Sequence, residues 1–168
     1  MNYLKIDKCD YLNGVGVGVV LWLSGCSHRC DGCQNQKTWN ANAGKTFDKK
    51  AEDELIEYLN LPYIKRLTLS GGDPLHENNL EDVLNLVNKI RLLFGESKTI
   101  WLYSGYTFKQ CLEDKQRYEI LKQCDVFVDG RYIDALKDIT LRWRGSSNQR
   151  VIDVKQSLKN KEIILLTE

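Results

Sequence analysis

An α/β fold built on a mostly parallel sheet is predicted by three observations. Four short runs rich in Val, Ile, Leu and aromatic residues recur at 17–24, 65–70, 99–103 and 125–129, the composition of buried strands. Helical periodicity separates them, which argues for βαβ units. The chain of 168 residues shows no internal repeat, low-complexity tract or long linker, so one domain over 1–168 is expected, with about the last 15 residues as a candidate extension.

The helical stretches differ in strength. Stretch 48–60 opens on Asp48, an N-cap type, and stops before Pro62, with a thin apolar face of Leu55, Ile56 and Leu59. Stretch 79–94 is stronger. Leu80, Val83, Leu84, Val87, Ile90 and Phe94 share one face, Glu81 and Asp82 occupy the first turn, and Gly95 follows. Stretch 107–123 reads as one weak helix or two short ones. Segments 150–154 and 162–166 are candidate further strands.

Composition excludes several function classes. A 42% hydrophobic and 28% charged chain is ordinary for a globular domain, and a net charge of +1 argues against a general electrostatic grip on nucleic acid or acidic membranes. The first ten residues alternate apolar with charged side chains, unlike a signal peptide. The longest apolar run, 15–23, is too short and glycine-rich to span a bilayer. A cytoplasmic protein is the expectation.

Chemistry concentrates in Gly25-Cys26-Ser27-His28-Arg29-Cys30-Asp31-Gly32-Cys33, a C-x3-C-x2-C loop directly after the first run. Thiolates are the usual ligands of iron–sulfur clusters, and a cubane normally takes four. Three leave one iron open, the logic that separates catalytic from closed metal sites. Structural zinc is the alternative, but it usually pairs two C-x2-C-like knuckles and no second knuckle exists. Cys9 could supply a distant fourth ligand, while His28 is wedged between two cysteines. Cys111 and Cys124 fall among apolar residues and read as small hydrophobes.

In a parallel sheet the four runs end at one carboxyl edge, where open α/β sheets and βα barrels place ligands. The cysteine loop, Gly71-Gly72-Asp73-Pro74, Ser104-Gly105 and Asp129-Gly130 would therefore converge. Each has a plain reading as well. Gly-Gly-Asp-Pro can be a turn, Asp129 can cap the next segment, and Ser104 is equally ambiguous. As site residues, Gly71 and Gly72 would let backbone approach a ligand and Asp73 would position a cationic group. Asp129 would bond a ribose hydroxyl or a nearby cation. The basic stretch 142–150 reads first as a solvated loop.

Taken together, the C-x3-C-x2-C loop, Asn13-Gly14, Cys33-Gln34-Asn35, Thr38-Trp39-Asn40, Ser70-Gly71-Gly72-Asp73-Pro74, Ser104-Gly105-Tyr106, Val128-Asp129-Gly130 and Trp143-Arg144-Gly145-Ser146-Ser147-Asn148-Gln149 resemble the radical S-adenosylmethionine superfamily, and within it the activating enzymes of anaerobic (class III) ribonucleoside-triphosphate reductases. The resemblance implies a 4Fe–4S cluster on Cys26, Cys30 and Cys33. S-adenosylmethionine would chelate the fourth iron, lined by Gly32, Cys33, Gln34, Gly71, Gly72 and Asp73, with Ser104 and Asp129 as further contacts. It implies one electron from a flavodoxin or ferredoxin, cleavage to methionine and a 5′-deoxyadenosyl radical, and a glycyl radical left on the large reductase subunit. Because a full βα barrel typically takes ~250 residues, the expected fold is an incomplete, open βα barrel, whose gap would admit a protein substrate. An activase of another glycyl-radical enzyme, a small-molecule radical enzyme and a non-enzymatic iron–sulfur or zinc module are the rival readings.

Overall fold

The computed structural model describes residues 1–167. Its centre is four parallel strands: β2 (Gly18–Leu23), β4 (Arg66–Gly71), β5 (Thr99–Ser104) and β6 (Val126–Asp129). These match the four sequence runs. Between them run α1 (Lys49–Leu59), α2 (Leu80–Phe94), and the pair α3 (Phe108–Glu113) and α4 (Lys115–Leu121). Asp114 ends α3 and caps α4 by accepting from the Arg117 amide, which resolves stretch 107–123 into two short helices.

Three antiparallel strands complete the sheet, in the order β3-β1-β2-β4-β5-β6-β7. The strands β1 (Asn2–Asp10) and β3 (Lys45–Thr46) extend one edge, and β7 (Arg150–Asp153) closes the other. The alternation of residues 1–10 is thus the signature of a half-buried strand near the edge of the sheet, with Lys5, Asp7, Lys8 and Asp10 interleaved. Segment 162–166 is not a ladder strand. It makes one isolated bridge, Leu165 to Ile152, and two flanking backbone bonds. Before it stands α5 (Val154–Asn160), whose Val154 and Ser157 are buried.

Strand alternation sorts the core into two faces. Val19, Leu21, Leu67, Leu69, Ile100, Leu102, Phe127 and Ile152 join the buried leucines, valines and isoleucines of the helices in one cluster. Trp101, Val126, Val128 and Val151 form the other, with no helical residue in it. Loops cover that second face: Trp143 meets Trp101 edge-on at 5.1 Å, and buried Arg66 pairs with Asp10 at 2.8 Å and donates to the Asn13 carbonyl. The four parallel strands thus lie side by side in chain order, with the helices packed on one face of a mixed α/β sheet. Among the described residues no helix is long and apolar enough to cross a membrane.

α2 illustrates how packing outranks local signals. Its N-cap Asn79 makes no side-chain cap; the amide instead donates to the carbonyls of Ser24 and Asp73 at 2.9 and 3.0 Å. The forgone cap is worth ~1 kcal/mol. Burial of Val83, Leu86, Val87 and Ile90, at ~1.5–3 kcal/mol each, exceeds it several-fold.

Candidate functional site

Register brings the strand-end motifs together. Leu23 pairs with Gly71, and Ser104 with Asp129, so the segments after β2, β4, β5 and β6 leave the sheet at one edge. The cysteine loop folds over this edge. Gly25 N–H donates to the Thr38 carbonyl and Cys26 N–H to that of Trp39, which closes the loop against residues 38–39.

Cys26, Cys30 and Cys33 are free, half-buried thiols in that loop. Burial pushes the Cys26 thiol up to about 11, against backbone amides of His28 and Arg29 that favour its anion. Cys30 is likewise raised by burial, opposed by the Tyr132 amide. Cys33 Sγ accepts from the Asn35 amide at 3.4 Å. Each sulfur thus faces a backbone N–H donor, and at Cys26 and Cys30 burial makes an uncompensated thiolate costly. That environment fits thiolates neutralised by bound iron, whose sulfurs take hydrogen bonds from the loop. Among the described residues no three His, Cys, Asp or Glu side chains converge on a single-ion site; a cubane offers each cysteine a separate iron.

The other cysteines lie elsewhere. Cys9, with its thiol donating to the Tyr11 hydroxyl, is on β1 beside the Asp10–Gly18 pair, at the opposite end of β2 from the cysteine loop. Cys111 and Cys124 are fully buried in the helical core, and burial pushes the Cys111 thiol up to about 12.

Asp73 is the hub of the site. Its buried carboxylate accepts from Ser104 Oγ at 2.8 and 3.0 Å, from the amides of Leu75 and Gly105 at 2.8 and 3.0 Å, and faces His28 Nε2 at 2.7 Å. Arg131 Nε donates to His28 Nδ1 at 3.1 Å, so Nε2 carries the proton given to Asp73. The His28 ring packs over Gly105 and meets Tyr106 edge-on at 4.6 Å. One imidazole therefore ties the cysteine loop to the ends of β4 and β5 and to the loop after β6. No motif-spacing signal pointed to this role; the only hint was a histidine placed between two cysteines.

The remaining sequence-selected residues have defined places. Gly71 has φ +109, and a side chain there would meet the Leu23 backbone at 2.6 Å. A Cβ on Gly72 would lie 2.6 Å from the Gly25 carbonyl oxygen, so the close approach this glycine permits is to the cysteine loop. Gly32 packs against Asp134, and Gln34 is exposed. Asp129 is buried and engaged: Oδ2 accepts from the Phe108 amide at 2.8 Å, starting α3, and the carboxylate pairs with Arg150. It therefore braces α3, which precedes it in the chain, and does not cap the segment that follows it. Asp73 and Ser104 likewise face protein groups, not open solvent.

Residues 12–152 match the family model of the 4Fe-4S single cluster domain. A protein of Enterobacteria phage T4 named anaerobic ribonucleoside-triphosphate reductase-activating protein is 47% identical over 151 residues, covering 90% of this chain and 93% of the relative. Proteins of the same name from Escherichia coli K12 and Haemophilus influenzae are 43% and 44% identical, covering 90% and 89% of this chain and 97% and 96% of theirs. This chain belongs to the anaerobic ribonucleoside-triphosphate reductase-activating protein family. In this family member the matched cluster domain begins after β1 and ends within β7, so it contains the cysteine loop and all four parallel strands.

Proposed function

We propose that this chain activates an anaerobic ribonucleoside-triphosphate reductase by installing a glycyl radical on its large subunit. The observation that carries the proposal is a three-cysteine loop seated on the carboxyl edge of four parallel strands, in a chain aligned with activating proteins over nine-tenths of its length. The whole chain acts as one domain, an incomplete βα barrel of the radical S-adenosylmethionine type, in the cytoplasm.

Cys26, Cys30 and Cys33 hold a 4Fe–4S cluster. When bound, the cluster and S-adenosylmethionine supply reductive cleavage of the sulfonium and hydrogen abstraction from a glycine, driven by one electron from a flavodoxin or ferredoxin. The protein's own groups bind and orient. Gly32, Cys33 and Gln34 line one side of the S-adenosylmethionine site, and Gly71, Gly72 and Asp73 the other. Ser104 and Asp129 brace this wall from behind, Ser104 through Asp73 and Asp129 through Arg150 and the start of α3. At 168 residues the chain falls short of the ~250 of a full βα barrel, and the open side would admit a segment of a large protein substrate.

The test is anaerobic mixing of reconstituted protein with reductase, S-adenosylmethionine and reductant, read by electron paramagnetic resonance. A carbon-centred doublet is expected, lost when the C-terminal glycine of the reductase is replaced by alanine. A protein that cleaves S-adenosylmethionine without ever yielding the doublet would point to another glycyl-radical enzyme or a small-molecule substrate.

A further inference from the structure

A cleft of about 730 Å³ opens beside Cys26, on the side of the cysteine loop that faces residues 36–41 and His76. No residue from the ends of β5 or β6 lines it, so it is distinct from the wall formed by Asp73, Ser104 and Asp129. Its charged lining is one-signed. Arg29 and Lys37 are exposed, neither has a carboxylate partner among the described residues, and no Asp or Glu lines the cleft. Elsewhere Lys49, Lys89, Arg91, Arg117, Arg150 and Lys155 each face a carboxylate.

The loop also holds one of these cations in place. Arg29 adopts φ +48, sparsely populated for a non-glycine residue, and its guanidinium lies over the Trp39 ring at 5.7 Å. The Trp39 carbonyl accepts from the Cys26 amide at 3.1 Å. The floor of the cleft is thus one hydrogen bond from a sulfur-bearing residue of the metal centre.

We propose that this cleft is the docking surface for an acidic one-electron carrier protein. The inference rests on the reading of Cys26, Cys30 and Cys33 as cluster ligands. Paired cations without counter-charges steer an anionic partner and fix its orientation, and an open cleft admits a protruding edge of a protein. The step at this surface moves one electron: the carrier is oxidised by one, the cluster is reduced by one, and no bond is made or broken. Substrate and reductant then approach the loop from different sides.

The experiment uses cluster-loaded protein and flavodoxin as the acidic carrier. Binding of oxidised flavodoxin is titrated at low and high salt, and cluster reduction is followed with flavodoxin hydroquinone and, separately, with photoreduced deazaflavin, which needs no docking surface. In Arg29→Glu/Lys37→Glu, flavodoxin affinity, and its reduction rate normalised to the deazaflavin rate of the same variant, should fall by about tenfold or more and lose their salt dependence. Lys37→Glu alone, which leaves the Arg29–Trp39 contact intact, should give a smaller loss in the same direction; Lys159→Glu on α5 should give none. Unchanged flavodoxin binding and reduction in both cleft variants overturns the proposal, as does salt-independent binding by the parent. If deazaflavin reduces the parent cluster but flavodoxin does not bind, the docking surface alone is refuted. If deazaflavin reduces no cluster in the parent, the cluster reading falls and the docking surface with it.

Discussion

His28 Nε2 lies 2.7 Å from Asp73 Oδ2, joining the cysteine loop to the end of β4 across 45 residues of sequence. Both groups are nearly inaccessible, with side-chain exposures of 6% and 1%. A hydrogen bond to a charged group contributes ~1.5–3 kcal/mol, enough for this contact to bear on whether the loop stays closed although Asp73 keeps its bonds from Ser104, Leu75 and Gly105. His28→Leu should destabilise the metal-free chain by that amount and speed iron loss to a chelator. His28→Gln, which keeps an N–H donor, should lie near the parent. Equal iron retention in the Leu variant would show that His28 does not hold the loop.

Replacing Cys26, Cys30 or Cys33 by Ala should each abolish stoichiometric iron and sulfide in anaerobically reconstituted protein. Replacing Cys9, Cys111 or Cys124 should not, because they lie at the far end of the sheet or in the helical core. Metal analysis of the six variants is sufficient. Iron lost from the Cys9 variant and kept in the Cys30 variant would reverse the assignment, and stoichiometric zinc without sulfide in fresh protein would remove it.

Gly72→Val tests the wall shared by the two loops. The sequence alone suggests that this change would hinder S-adenosylmethionine and spare the cluster. The structure puts the new side chain against the Gly25 carbonyl, so the cysteine loop itself must move. The expected outcome is partial loss of iron together with weakened S-adenosylmethionine binding by titration calorimetry. Gly71→Ala, forced to φ +109 against the Leu23 backbone, should cost more than ~1 kcal/mol in urea unfolding. Full iron content in Gly72→Val would mean the two loops are not mechanically coupled.

Acid should weaken the fold through Asp125. Burial pushes its pKa up, but hydrogen bonds from Arg91, the Ile100 amide and Lys155 outweigh this and hold it below the usual carboxylate value. A depressed folded pKa contributes stability that is present above the unfolded value of about 3.9 and is lost as pH falls through the folded one. Metal-free Asp125→Asn should therefore be less stable than the parent at pH 7, and the gap should shrink below about pH 4. A gap that stays constant with pH in urea unfolding would exclude this linkage.

Local pattern made much of the molecule legible. The four parallel strands, α1, α2 and the α3–α4 pair are written in periodicity and caps within a few residues, and the C-x3-C-x2-C spacing is local by nature. β1 was visible only as alternation, because a strand near the sheet edge is half apolar and half charged, and α5 carried too few apolar positions in seven residues to stand out.

What tertiary structure alone decided is which partner each functional residue meets. Asp73, Ser104 and Asp129 were selected by their position after strands, yet their contacts with His28, the Gly105 amide, Phe108 and Arg150 depend on register between strands far apart in sequence. Gly72 reads in sequence as room for a ligand and proves to be room for Gly25, because Leu23 pairs with Gly71. Spacing encodes which residue types can bind a cluster. Only the long-range hydrogen bonds of the folded sheet determine which side chains hold that loop in place and which side of it stays open.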